Sequence, residues 1–350
     1  MKAMVLHDGQ LRLETVTDPQ PTAGLLLTRP LACGVCGSDL HAKDHAEHLC
    51  GLLQSAGFRG FMDPHKPVVM GHEFCCEVLE RAPGFEAGQR VVAMPFISAG
   101  QGVELVGYSN TFNGAFAEQM LLQANLSWAV PDHVSTDIAA LTEPLSVAVH
   151  AVAEANVDGN CAFAVVGCGP VGLFVIARLR ALGLGPVLAI EPSLARRAMA
   201  EQMGADNVVA PGDTGAWWDA LGLPLGLSDA MAQAPELRQR SRAVLFECVG
   251  KPGMLMALAR SAPVGATIVV VGNCMQPDTL EPAFLLQKSL TLKFIFAYTA
   301  EDFAEAFAMI CRQPEQLAPM VTGSVSLDNL EQAFSVLSGN GVHIKMLVKP

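Results

Sequence analysis

The stretch CGVCGSDLH, Cys33 to His41, gathers two cysteines, a serine, an aspartate and a histidine within nine residues. That mixture points to redox chemistry or to metal binding. Cys33 and Cys36 form a redox pair on one reading; on the other, one of them is a metal ligand with its helpers close behind. Two further stretches bear on the choice. Gly71 to Glu73 reads GHE, and Leu141 to Val152 reads LTEPLSVAVHAV, with Glu143 ahead of a proline. A thiolate, an imidazole and a carboxylate are the kind of S, N and O set that holds catalytic zinc, which takes three protein ligands and keeps one position open. Ligands scattered along a chain suit a catalytic site rather than a CxxC…CxxC structural cluster. No thioredoxin-like βαβ pattern surrounds Cys33 and Cys36, which weighs against the redox pair.

A second chemistry lies further on. Gly167-x-Gly169-x-x-Gly172 follows the apolar run AFAVV, and Pro170 and Val171 sit inside it where a helix opens. Glycines at this spacing permit a tight turn and close approach to a pyrophosphate, which the helix N-terminus attracts. The same fingerprint expects an acid about 20 residues on. Glu191 ends the next apolar run, VLAIE, 22 residues after Gly169. Its carboxylate is suited to the ribose hydroxyls of NAD and would repel a 2′-phosphate. Arg196 and Arg197 lie close by and temper the preference for NAD over NADP.

These residues need elements to hold them. The first 130 residues are rich in Gly, Pro and short apolar runs such as LLLTRPLACG, PVVMGHEFCCEVLE and RVVAMPF. Short strands with turns, hence a β-rich domain, are expected there. From about residue 144 the texture changes. AFAVVG, PVLAIE, NVVA, AVLFECVG and TIVVVG are continuous apolar runs, and helical stretches such as PVGLFVIARLRALG alternate with them. This is the pattern of an α/β, doubly wound parallel sheet. A helical segment, AEDFAEAFAMICRQ, and a last apolar run, HIKMLVKP, follow it.

Bulk properties narrow the function. Among 350 residues, 22 basic side chains face 34 acidic ones, a formal charge of −12. Nucleic-acid partners need clustered Lys and Arg, so none is expected. The run Cys161 to Ala177 is apolar but interrupted by three glycines and Pro170, so a strand, turn and helix are expected rather than a membrane span. No secretory pattern opens the chain. A cytoplasmic location is expected, with the ten cysteines reduced. Of these, Cys75, Cys76, Cys168, Cys248, Cys274 and Cys311 are read as core.

Taken together, CGVCGSDLH, GHE, LTEP and the GxGPVG loop resemble the zinc-dependent medium-chain dehydrogenase/reductase family of alcohol and polyol dehydrogenases, in order and over nearly the whole chain. The resemblance implies a GroES-like catalytic domain at 1–143 and 294–350, and a Rossmann NAD-binding domain at 144–293. It implies Cys36 and His72 as ligands of one catalytic Zn2+, with Glu143 as the third ligand or a close neighbour. Glu73 is implied as an exchangeable carboxylate, and Asp39 as the residue that orients the histidine. Glu143 as a mere helix-start acid, and Glu73 as a direct ligand, both stay open. Zinc would polarise the oxygen of an alcohol while hydride passes to NAD. Ser38 matches the hydroxyl that meets the substrate oxygen, and His41 the relay that passes the proton to solvent. The implied activity is NAD-dependent oxidation of a secondary or polyol-like alcohol. Its rivals are a zinc-free quinone or enoyl reductase and a dinucleotide-binding protein without catalysis.

The chain departs from that family twice. Many relatives carry a lobe with four cysteines around a structural zinc; here Ile97 to Gly114 has no cysteine. In addition, Cys36 and His72 stand 36 apart, longer than usual, with extra material at Asp44 to Pro67. That insertion is expected to overhang the cleft or fill the space of the missing lobe. Its Leu52, Leu53, Phe58, Phe61 and Met62 are candidates to wall a substrate pocket, while His45, His48 and Cys50 read as a solvated loop in preference to a second metal cluster. Finally, LTLKFIF reads as an edge strand. An unpaired apolar edge is a liability, so a homodimer or homotetramer is expected.

Overall fold

The computed structural model describes residues 1–100, 102–212, 214–233, 242–339 and 342–350. The chain divides into two compact units, Met1–Ser146 with Phe303–Pro350, and Val147–Asp302.

A seven-stranded sheet organises the first unit. Along its main path the order is Ser127–Ala129, Arg90–Ala93, Glu73–Val78, Leu25–Gly34, Lys345–Lys349 and Val321–Ser326, and Met120–Gln123 also pairs with Leu25–Gly34. The strand Leu25–Gly34 is therefore central. One edge bonds Glu73–Val78 with Gly34 opposite Glu73; the other bonds Lys345–Lys349 with Gly34 opposite Leu347. Its register with Glu73–Val78 shifts between Pro30 and Ala32, where a proline has no N–H to give the ladder. This register brings the GHE segment, the CGVCG segment and the last strand of the chain to one end of the sheet.

Cys33 lies in the buried end of the central strand and Cys36 caps the next element, the helix Gly37–Ser55. The expected solvated loop at His45, His48 and Cys50 is thus a helix instead. Ala42, Ala46, Leu49 and Cys50 recur at helical spacing and pack on the core. Three histidines and several charges around that stripe conceal it in the sequence. His45 leaves helical geometry (φ −141°, ψ 34°), and His45 and His48 face outwards. Cys50 is buried and its thiol donates to the Met62 carbonyl at 3.3 Å.

Of the cysteines expected in the core, Cys75, Cys76 and Cys168 are buried, whereas Cys248, Cys274 and Cys311 are only half-buried; all ten are free.

A six-stranded sheet organises the second unit: Asn207–Val209, Val187–Ile190, Cys161–Val166, Arg242–Glu247, Thr267–Val270 and Thr291–Phe294, every pairing parallel. Each run read as a buried strand in this region is a strand, though Asn207–Val209, at the sheet edge, is exposed to half-buried rather than buried. The first strand in sequence lies near the middle and the order reverses beside it, the doubly wound pattern whose switch point lies beyond the strand ends. Phe163, Phe174, Trp218 and Phe246 fill its interior. Thr291–Phe294 forms one edge, with Phe294 and Phe296 exposed. Among the described residues, no helix is long and apolar enough to cross a membrane.

Candidate active site

At the end of the first unit's sheet, the thiol of Cys36, an imidazole nitrogen of His72 and a carboxylate oxygen of Glu73 lie within 4.8 Å of one another. Local chain geometry delivers each. Cys36 stands at the start of the helix Gly37–Ser55 because Asp39, on the first turn, folds its carboxylate back to accept the Cys36 N–H at 2.9 Å. His72 follows Gly71, whose φ of +98° and closeness to Phe116 and the Cys33 sulfur leave no room for a side chain. Glu73 begins its strand opposite Gly34, and its carboxylate lies where a Cβ on Gly34 would stand, 2.0 Å from Oε2. Glycine at 34 is therefore a condition of this site, a role the sequence reading missed.

Burial of Cys33 weighs against a redox pair with Cys36. Cys33 is fully buried, and burial, reinforced by the charges of Asp39 and Glu73, pushes its thiol well above the ordinary range. It packs against Gly71.

Asp39 is the hub around the imidazole. Its Oδ1 stands 3.4 Å from His72 Nδ1, near enough for attraction, yet Nδ1 has no aligned hydrogen-bond partner. Burial disfavours the imidazolium, but the Asp39 carboxylate outweighs it and, with Cys36, holds His72 well above the usual histidine value. On the other side of the ring, Ser38 Oγ is 3.4 Å from His72 Nε2. Tyr108, unnoticed in the sequence, places its hydroxyl 2.8 Å from Ser38 Oγ and 3.1 Å from Asp39 Oδ1. Burial, then the nearby Asp39 and Cys36 charges, push the phenol well above its ordinary pKa, so it keeps its proton.

Lys345 is the second residue missed. Its ammonium donates to Glu73 Oε2 at 2.6 Å, to Oε1 at 2.7 Å and to the Val35 carbonyl at 3.2 Å. Both partners are buried. Desolvation alone would lower the lysine, but Glu73 chiefly, then Cys36 and Glu143, hold it above its ordinary value and cationic. A lysine between Ile344 and Met346 in an apolar final strand was the available signal. Glu143 lies on the first turn of the helix Thr142–Glu154, half-buried. The structure groups Glu73, rather than Glu143, with Cys36 and His72. His41 is half-buried on the same helix as Ser38; burial, then His45, lower its pKa and favour the neutral ring.

A thiol, an imidazole and a carboxylate at this spacing suit zinc. Asp39 beside the imidazole is the carboxylate partner that zinc-binding histidines commonly have.

In the second unit, the glycine loop joins the strand Cys161–Val166 to the helix Pro170–Ala181. A Cβ at Gly167 would strike Val249 and the Cys248 carbonyl, and one at Gly172 would stand 1.9 Å from the Gly167 carbonyl. At Gly169, which caps the helix ahead of Pro170 and Val171, it would meet nothing. Two glycines are thus demanded by packing, and the third leaves its face open to a ligand. Gly167, Gly169, Glu191, Arg196 and Lys251 help line a cavity of about 530 Å³. Glu191 is buried and already accepts the Cys168 N–H at 2.8 Å and the Ser193 N–H at 2.9 Å. Each of its oxygens keeps a lone pair for a ribose hydroxyl. An open glycine face at a helix N-terminus, with an acid beside it, fits a dinucleotide.

Residues 22–132 match the alcohol dehydrogenase GroES-like domain, and residues 170–312 match the zinc-binding dehydrogenase domain. Over 369 aligned positions covering all of both chains, the sequence is 31% identical to (R,R)-butanediol dehydrogenase of Bacillus subtilis. It is 25% identical to sorbitol dehydrogenase of the same organism, across all of this chain and 97% of that one. The crystal structure of 2R,3R-butanediol dehydrogenase from Bacillus subtilis superposes with a TM-score of 0.81 at 28% identity, covering 100% of this chain and 99% of that one.

Proposed function

The chain belongs to the family of zinc-binding alcohol dehydrogenases with a GroES-like domain, and on that premise we propose that it oxidises a secondary or polyol-like alcohol reversibly with NAD. The observation that carries this reading is the convergence of Cys36, His72 and Glu73 with Ser38 at the imidazole. Cys36, His72 and Glu73 would hold the zinc ion, and Glu143, whose charge Lys345 also feels, is the carboxylate at hand to exchange with Glu73. When bound, zinc supplies a Lewis acid for the alcohol oxygen and the nicotinamide supplies the hydride acceptor.

The chain's own residues do the rest. Ser38 Oγ accepts the hydroxyl proton of the alcohol. Ser38 gives up its own proton in exchange, and His41, whose neutral ring burial favours, is the acceptor on the way to solvent. Lys345 balances the charge of Glu73 in a buried setting, so the site is not left with an excess of anions. Residues of the first unit therefore carry the catalytic work and those of the second carry the cofactor. There, Gly167, Gly169, Pro170, Val171 and Gly172 form the pyrophosphate cradle, Glu191 binds the ribose diol, and Arg196 lines the same cavity. Relatives named for butanediol and sorbitol favour a diol or polyol as substrate. The exposed Phe294 and Phe296 at the sheet edge support pairing of two copies through Thr291–Phe294, and the free cysteines suit a cytoplasmic enzyme.

The test is a panel of simple alcohols, vicinal diols and polyols followed at the NADH absorbance, with NAD or NADP and with a chelator. Oxidation of diols or polyols with NAD, lost on chelation, is expected. Chelator-insensitive reduction of quinones or enones instead would overturn the reading.

A further inference from the structure

The two departures from the family converge on His72. The segment 97–114, which replaces the cysteine lobe, runs against the GHE stretch. A Cβ at Gly107 would stand 3.1–3.2 Å from the backbone of Gly71, and one at Gly114 would strike the Met70 and Gly71 carbonyls. The Gly114 N–H donates to the Val69 carbonyl at 2.8 Å, and the Ala115 N–H to the Gly71 carbonyl at 2.8 Å. Glycines thus let the two backbones touch. The residues that follow Gly107 and Gly71 are Tyr108 and His72, and they meet ring to ring, with centroids 5.2 Å apart and planes at 39°. Tyr108 is only 3% exposed, so close packing holds its ring in place.

The insertion 44–67 reaches the same ring. Its Phe61 stacks on Tyr108 with centroids 5.0 Å apart and planes at 24°. The residues around Phe61 are clamped to the 97–114 segment. Gly60 passes so close to Val103 that a Cβ would stand 1.7 Å from the Val103 carbonyl oxygen, and the Leu105 N–H donates to the Gly60 carbonyl at 3.2 Å. Asn110 holds the end of the insertion: its Oδ1 accepts the Asp63 N–H at 2.7 Å, and its Nδ2 donates to the Pro67 carbonyl at 3.0 Å. Phe61, Tyr108 and His72 therefore form a row of rings from the insertion to the site. The imidazole itself is loosely tied by polar groups. Ser38 Oγ stands 3.4 Å from Nε2, and Asp39 Oδ1 stands 3.4 Å from Nδ1 without an aligned hydrogen bond. Zinc-binding histidines are commonly oriented by a firm bond at the second ring nitrogen. Here ring packing adds the restraint that a long contact does not give.

We propose that the insertion and the shortened segment together brace the His72 imidazole for zinc, with Tyr108 as the positioning residue and Phe61 as its backing. This rests on the reading of His72 as a zinc ligand. A ring already held in the binding orientation loses less rotational freedom when it takes the metal, so the metal is held more tightly. The restraint is steric and moves no proton, so the path from Ser38 to His41 is left as it stands.

The experiment follows zinc retention in the zinc-loaded, full-length enzyme, as the rate at which a chromogenic chelator draws the metal. His72→Ala tests the underlying reading and should abolish stoichiometric binding. Tyr108→Leu should release zinc about tenfold faster, the lower end of what changes beside a metal ligand cost. Tyr108→Phe keeps the ring and should stay within about twofold of the parent. Phe61→Leu should speed release about threefold, whereas Phe61→Tyr should match the parent. In the Tyr108→Leu background Phe61→Leu should add nothing. The unfolding midpoints of zinc-loaded and zinc-free protein should draw closer in Tyr108→Leu and Phe61→Leu, because weaker binding stabilises less; a merely structural ring would lower both midpoints alike. Equally fast release from Tyr108→Phe and Tyr108→Leu assigns the effect to the hydroxyl and overturns the proposal. An unchanged gap between the midpoints in Phe61→Leu, or full additivity of the two losses, does the same. If Tyr108→Leu fails to fold, Phe61→Leu and Phe61→Tyr decide. Release from the ring variants at the parent's rate, with His72→Ala stripped of zinc, overturns this proposal alone. Zinc held as firmly in His72→Ala as in the parent overturns the reading of the site and this proposal with it.

Discussion

Two buried acids anchor the two halves of this protein, and they are held in opposite ways. Glu191 is satisfied by backbone N–H groups 23 residues before it and two residues after it. Glu73 is satisfied by an ammonium 272 residues further along the chain. The cofactor loop is a local structure: strand, glycine turn, helix, strand and acid follow one another, and neighbouring backbone supplies the hydrogen bonds. The metal-binding end of the other unit is assembled by register. It exists because three strands distant in sequence lie side by side, with Gly34 between Glu73 and Leu347. A local site tolerates change elsewhere, whereas an assembled one depends on every strand that contributes to it.

That contrast can be broken by experiment. The largest effect is expected at Cys36→Ser: turnover should fall by at least about 10³-fold, the scale of several kcal/mol of lost Lewis-acid stabilisation, while NADH titration stays near that of the parent. Coupled loss of NADH binding would mean that the two sites are not separable. Next comes Lys345→Met, which leaves a buried carboxylate without its partner. Denaturant unfolding should show a loss of about 3–5 kcal/mol, partly recovered when zinc is added, because a cation again faces Glu73. Glu191→Ala leaves two amides with no acceptor and should cost about 1–3 kcal/mol. Its KM for NAD should rise roughly tenfold, about the 1.4 kcal/mol of one bond, and its preference over NADP should narrow. Should Lys345→Met prove no more damaging than Glu191→Ala, the distinction between assembled and local anchors fails.

The smallest effect concerns pH. Burial lowers His41 below the ordinary histidine value of about 6.5. The neutral ring is the form that accepts a proton, so alcohol oxidation should hold as pH falls to that value and decline a few-fold only below it. In His41→Gln this acid limb should flatten in a kcat/KM profile.

Much of this was legible in the residues themselves. Every run read as a buried parallel strand became a parallel strand, and all but the edge strand Asn207–Val209 are largely buried, because continuous apolar segments between helical periods admit few other solutions. The glycine loop and Glu191 fall in place for the same reason. The helix over Gly37–Ser55 was missed because histidines and charges around a narrow apolar stripe look like a solvated loop. Between Glu73 and Glu143 the residue types could not choose, since both carboxylates are chemically competent.

The sequence by itself determined the chemical inventory: a thiol, an imidazole and spare carboxylates, a hydroxyl and a histidine on one short segment, and a phosphate loop on a doubly wound sheet. These follow from residue type, spacing and period, all of which act over a few residues. Only the tertiary structure decided that Glu73 lies with Cys36 and His72, that Lys345 pairs with it, and that the Tyr108 hydroxyl meets Ser38 and Asp39. Ion pairs and hydrogen bonds of that kind form where desolvated groups from remote strands are brought together. Which groups meet is settled by sheet register and by how an insertion packs, and neither is written in any local stretch of the chain.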